Sequence, residues 1–301
     1  MLAGMGAVLA LLGWLLGGTQ IMLWSVLAGI LLLIIGPRVS TNMLLNMYHA
    51  RQLSTQDAPQ LHELISELSQ RAELKHIPSI YYIPSQIMNA FTLGKPKNAS
   101  IAISEGLLRH LTLRELAGVF AHEISHIRNN DMSVMSLADV VTRMTRLLSL
   151  FGQLLVIVNL PLIILSEVTI SWFAILLLIF APTLTALMQL ALSRHREFDA
   201  DLGAVMLTGD AHGLASALAK LERVQDGFVE KVLGSRKPGS DPSILRTHPH
   251  TQERIKRLIS LADKPPVVTP ISVPKTDRFH IPQHISLLAH IPRKRFTRLW
   301  H

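Results

Sequence analysis

The stretch TLRELAGVFAHEISHIR, residues 112–128, decides how this chain is read. Thr112 followed three residues later by Glu115 is a capping-box pattern, which predicts a helix starting there. Leu113, Leu116, Phe120 and Ile127 form the stripe that such a helix buries. His122-Glu123-Ile124-Ser125-His126 lies on it as an HExxH pattern. Residues four apart share a helical face, so both imidazoles can reach one zinc ion. Glu123 projects beside that position, where a carboxylate can take a proton from an attacking water. The chain has no cysteine, which excludes disulfides and thiolate ligands. A metal site must therefore use His and carboxylates.

A catalytic zinc takes three protein ligands and keeps one position open. The third ligand is expected on another element, and Ser193-Arg194-His195-Arg196-Glu197-Phe198-Asp199-Ala200-Asp201 offers it. Glu197 is the choice, with His195 and Asp199 as rivals on spacing alone. Asp201 lies one turn beyond Glu197 on the same face. It is placed to hold the outer nitrogen of a ligand histidine.

Two nearly uncharged apolar blocks flank this chemistry. No charged side chain precedes Arg38. One helix through all of that stretch would run about 55 Å, far beyond the roughly 30 Å of a bilayer's hydrocarbon core. The Gly17-Gly18-Thr19-Gln20 sequence offers a break, giving spans near Leu2–Leu16 and Ile21–Ile35. The second block, between Arg146 and Arg194, holds only the charge of Glu167. It divides into Leu147–Ser166 and Thr169–Leu192, with Pro161 and Pro182 tolerated inside spans. Lys and Arg are dense from Arg38 to Arg146 and again after Arg194, and absent from both turns. That asymmetry puts the turns outside and the rest on the cytoplasmic side. It also accounts for the net charge of +8. Nucleic-acid binding is not expected, because no aromatic-rich basic motif accompanies the charge.

Between the blocks, Leu61–Leu74 has helical spacing, and Ile80–Ile83 and Ser100–Ile103 read as short strands. Asn89, Gly94, Pro96 and Asn98 are turn formers, so the intervening stretch reads as a loop.

Four stretches together resemble the HtpX-type membrane zinc peptidases, relatives of the CAAX prenyl protease. These are Asn89-Ala90-Phe91-Thr92-Leu93-Gly94, the His122–His126 helix, Glu197 with Asp201, and Thr247-His248-Pro249 followed by Glu253-Arg254-Ile255. The resemblance extends from Met1 to Leu261 and includes the four-span layout. It favours Glu197 over His195 as third ligand. It implies that Asn89 and Ala90 line a strand edge that pairs with an extended substrate. It also implies that His248 stabilises the oxyanion as a second catalytic residue beside Glu123.

The expected fold is α+β and mainly α-helical: a polytopic membrane protein of about four transmembrane helices with a zincin-type (gluzincin) domain and a small β-sheet. Its parts are a hairpin over 1–37, catalytic segments over 38–146 and 193–263, a second hairpin over 147–192, and a basic, Pro-rich tail over 264–301. The expected activity is endopeptidase cleavage with one Zn2+ per chain. Its partners are polypeptide substrates, membrane proteins in particular, and the lipid bilayer. The tail, with Arg293-Lys294-Arg295 and Trp300, is a candidate for anionic lipid contact. The resemblance further implies quality control at a bacterial inner membrane, with the catalytic domain cytoplasmic. Charged neighbours Arg114, Glu115, Arg128 and Asp131 argue against an HExxH helix inside the bilayer.

Overall fold

The structure is a computed structural model that describes residues 1–35, 41–165, 171–233, 251–263, 268–272, 279–282 and 285. It falls into two compact units, Met1–Val39 with Asn130–Glu197, and Ser40–Asn129 with Phe198–His301.

The first unit is helical: α1 (Leu2–Ile35), α6 (Asp131–Leu165) and the first part of α7 (Trp172–Thr208). Three helices among the described residues are long and apolar enough to cross a membrane. The first of them is not continuous. Gly17 and Gly18 leave helical geometry, Gly18 at φ 65°, a conformation open to glycine at little cost. A Cβ placed on Gly13 would lie 2.9 Å from the Met22 Cα. Nine residues along one straight helix would be about 13 Å apart, so the chain turns back at the glycines. α6 begins at Asp131 and α7 continues to Thr208, so both helices run on past the apolar stretches. The expected turn at Glu167 lies outside the described residues.

Pro182 sits inside α7 and cannot donate to the Leu178 carbonyl. Two side chains of α6 supply that bond instead: the Ser149 hydroxyl, and the Gln153 amide at 3.1 Å. A neighbouring helix thus satisfies a carbonyl that lipid could not. Large apolar side chains, among them Trp24, Leu150, Ile157 and Trp172, remain exposed. On helices of this composition that surface suits lipid.

The second unit holds α2 (Thr41–Met47), β1 (Arg51–Gln52), α3 (Pro59–Arg71), β2 (Ser79–Ile83), β3 (Ala90–Leu93), β4 (Ser100–Ser104), α4 (Glu105–His110), α5 (Leu113–Arg128), the end of α7, α8 (Ala211–Leu233) and α9 (Thr251–Ala262). The strands form one sheet in the order β1-β2-β4-β3. β2 and β4 are parallel; β1 and β3 join as antiparallel edges. Alternation along β4 serves two cores. Ile101 and Ile103 face the cluster that holds Leu61, Leu64, Ile65, Leu116 and Phe120, while Ala102 packs with Leu45, Ile83 and Leu93.

β3 falls inside the stretch whose turn formers predict a loop. Only its four residues are extended, and Gly94 closes it at φ 90°. Part of the 264–301 segment is packed into this unit. Phe279 and Ile285 are buried in the main cluster, and Arg71 donates to the Thr269 carbonyl at 2.9 Å. Residues 286–301, including Trp300, lie outside the described residues.

Candidate metal and catalytic site

The site is built on α5. Thr112 caps it through a complete capping box with Glu115. Glu115 also takes hydrogen bonds from Lys220 Nζ at 2.7 Å and Ser216 Oγ at 2.5 Å on α8. α8 can approach because Gly118 lacks a side chain: its Cβ would meet the Leu214 backbone at 2.9 Å. On another side of α5, a Cβ on Gly203 of α7 would stand 2.5 Å from Ser125 Oγ. The small residue inside the HExxH pattern and the glycine opposite it let these helices meet closely.

That contact brings Asp201 to His122. The His122 Nδ1 lies 3.0 Å from Asp201 Oδ1. With Nδ1–H donating to the carboxylate, the tautomer leaves the Nε2 lone pair available to a metal. Asp201 is held in turn by Arg254 of α9, whose Nε and NH2 donate to its two oxygens at 2.8 and 2.7 Å. Arg254 is 2% exposed, and its partnership with Asp201 is what allows a guanidinium so deep in the unit.

Nε2 of His126 lies 3.1 Å from Nε2 of His122. Two nitrogens bound tetrahedrally at about 2.05 Å would stand about 3.3 Å apart, so the pair fits a zinc-sized ion. Glu197, one turn before Asp201 on the same helix, completes the set. One ligand atom from each of His122, His126 and Glu197 lies within 4.8 Å of the others. Among the described residues no other such group occurs. His195 is exposed and Asp199 half-buried, and neither joins it.

Glu123 is buried beside this group and accepts a hydrogen bond from Thr92 Oγ1 of β3 at 2.7 Å. His122 and Glu123 open onto a cleft of about 630 Å3, its mouth included, which Asn89, Ala90 and Arg254 also line. Leu214, Leu218 and Val119 make its apolar wall. Asn89 is tied to β4 through its carbonyl, which accepts from Ser104 N at 3.0 Å, and its own N–H, which donates to Ser104 Oγ at 2.9 Å. His248, expected over the reacting carbonyl, lies outside the described residues.

Sequence reading gave no role to Thr92 or Arg254. Thr92 sits in a stretch of turn formers, and its meeting with Glu123 spans 31 positions. Arg254 belongs to the Glu253-Arg254-Ile255 stretch that carries the resemblance, but its partner Asp201 stands 53 positions away.

Known proteins agree with this architecture. The pattern of Peptidase family M48 matches residues 55–262, more than half of the chain. The chain is 32% identical over 279 residues to the Protease HtpX homolog of Paraburkholderia phytofirmans. It is 30% identical over 274 residues to that of Methylibium petroleiphilum. Each match covers 87% of this chain and 95% of the relative. The crystal structure of S. mikatae Ste24p shares the fold at a TM-score of 0.51 and 22% identity, over 79% of this chain and 57% of that one. Apolar helices fit for a bilayer, a His-His-Glu group on an HExxH helix and these matches converge: the chain belongs to peptidase family M48, as an HtpX-like integral membrane metalloprotease.

Proposed function

We propose that this protein is a zinc-dependent endopeptidase that cleaves polypeptides, membrane proteins in particular, on the cytoplasmic side of a bacterial inner membrane. The observation that carries the zinc reading is the approach of His122, His126 and Glu197 within 4.8 Å. Two imidazoles and a carboxylate are the donor set of a catalytic zinc with one position left open. When bound, the ion polarises the scissile carbonyl and lowers the pKa of water towards about 7.

In this reading His122, His126 and Glu197 hold the ion and Asp201 fixes the His122 tautomer. Glu123 accepts the proton of the attacking water and returns it to the leaving amine. Asn89 and Ala90 bind the substrate backbone along the β3 edge. His248 donates to the developing oxyanion. The layout of two spanning hairpins, 1–37 and 147–192, around catalytic segments 38–146 and 193–263 belongs to the same proposal. So does lipid contact by the basic residues near Trp300. The cytoplasmic side follows from the Lys/Arg asymmetry. A role in membrane-protein quality control rests on the resemblance to HtpX-type peptidases.

The test is zinc content measured beside cleavage of a membrane-protein substrate, before and after chelation. About one zinc per chain, with activity lost on chelation and restored by added zinc, is expected. Full activity in metal-free protein would overturn the reading.

A further inference from the structure

We infer that Thr92 is a positioning residue, which ties the substrate-binding strand to the carboxylate of Glu123. The inference rests on the reading of Glu123 as the general base.

Among the described residues β3 is an edge strand, paired to β4 on one side only. Asn89 exchanges its backbone bond with Ser104, and the ladder pairs Ala90 with Ile103 and Thr92 with Ile101. In an antiparallel ladder, residues alternate between turning their N–H and C=O to the partner and turning them away. Asn89, Phe91 and Leu93 therefore face β4. Ala90 and Thr92 present their backbone groups to the open edge, where an extended peptide adds a strand. Side chains alternate on the same period. Phe91 and Leu93 pack with Leu45 on one face of the sheet. Ala90 lines the cleft on the other, and the Thr92 hydroxyl reaches Glu123 Oε2 at 2.7 Å.

One residue thus offers its backbone to the substrate and its hydroxyl to the base. A glutamate on a helix rotates about three side-chain bonds. A hydrogen bond to Oε2 restricts that rotation and leaves Oε1 to meet the water. Productive attack needs the reacting groups within a few tenths of an ångström, so a loosened base slows turnover while binding persists. A substrate strand paired at Thr92 is in register with the base, because the same residue holds both.

Thr92→Val removes the hydroxyl at nearly constant shape and keeps a good strand former. Thr92→Ser keeps the hydroxyl. The full-length chain in detergent would be assayed on fluorescein-labelled unfolded casein, with zinc content and thermal midpoint alongside. Thr92→Val is expected to lower kcat about tenfold, within the range of a mispositioned base, with KM, zinc content and thermal midpoint unchanged. Thr92→Ser is expected to restore kcat. In a Glu123→Gln background, which removes the base, Thr92→Val should have no further effect. Wild-type kcat in Thr92→Val beside an inactive Glu123→Gln would overturn this inference alone. Near-normal cleavage by Glu123→Gln would overturn the reading of Glu123 beneath it. Loss of zinc or of thermal stability in Thr92→Val would make Thr92 a structural residue, and a raised KM at constant kcat would make it a substrate contact; either overturns the positioning role.

Discussion

Glu197 and Asp201 stand one turn apart on α7, yet they are proposed to do different work. Glu197 offers an oxygen to the group formed with His122 and His126. Asp201 is engaged by His122 Nδ1 on one side and by Arg254 on the other. Removing a ligand and removing its support should therefore differ in degree. Glu197→Ala is expected to purify with little zinc, while His195→Ala keeps a full complement, as measured by elemental analysis. Zinc retained in the first and lost in the second would move the third ligand. Asp201→Asn keeps the shape but weakens the grip on His122. Its zinc affinity, titrated against a competing chelator, should fall by about 10–100-fold, the usual cost of such a partner. An unchanged affinity would leave Asp201 as a packing partner of Arg254 only.

At the level of elements, the site depends on how closely helices meet. Gly118 permits the approach of α8, and the atoms that a Cβ there would meet are the Leu214 N and Cα. Backbone cannot swing aside as a side chain can. Gly118→Ala should therefore destabilise the unit despite the gain in helix propensity, by about 1–3 kcal/mol as for other overpacked contacts. Denaturant unfolding of the detergent-solubilised protein reads this, and a stabilised variant would contradict the contact. Polar ties lock the same crossing: Lys220 and Ser216 to Glu115, and Arg114 Nε to Asp210 Oδ2 at 2.5 Å. Burial by itself would raise the Glu115 and Asp210 carboxyls, but these hydrogen bonds outweigh it and hold both below the usual range. A carboxyl depressed on folding adds stability above its unfolded pKa, about 4. That stability is lost as pH falls through the folded value, because the unfolded chain binds more protons there. Unfolding midpoints measured from pH 7 downward should thus drop below about pH 4. The Glu115→Gln, Asp210→Asn double variant should show a shallower drop, and an identical acid profile would refute the assignment.

For the whole molecule, composition and charge govern the relation to the membrane. The long helices expose Trp24, Ile157 and Trp172, and the described part of the M48-matching segment carries an ordinary buried core. Lys/Arg placement predicts that Lys97 lies on the cytoplasmic side with both termini. The chain has no cysteine, so Lys97→Cys introduces a single label site. A membrane-impermeant maleimide should react with it only after the membrane is opened. Labelling of intact cells from outside would reverse the topology.

What could be read along the chain was whatever has a short period or a local rule. The HExxH pattern sits at helical spacing, the capping box needs only Thr112 and Glu115, and the turn at Gly17–Gly18 follows from a length that no bilayer accommodates. Apolar runs of span length, with charge on their flanks, likewise speak for themselves because bilayer burial is a property of composition. β3 was different. Its four residues lie among turn formers, and they become a strand because β4 offers them a ladder and two faces to pack. The start of α6 at Asp131 also lies ahead of its apolar stretch, since packing in the protein extends a helix that lipid has no part in. Arg254 at Asp201, Thr92 at Glu123 and Phe279 in the core join residues 53, 31 and more positions apart. No local rule reaches such distances: a buried cation or a half-buried hydroxyl takes its meaning from the partner that folding brings to it, and that partner was decided by the tertiary structure alone.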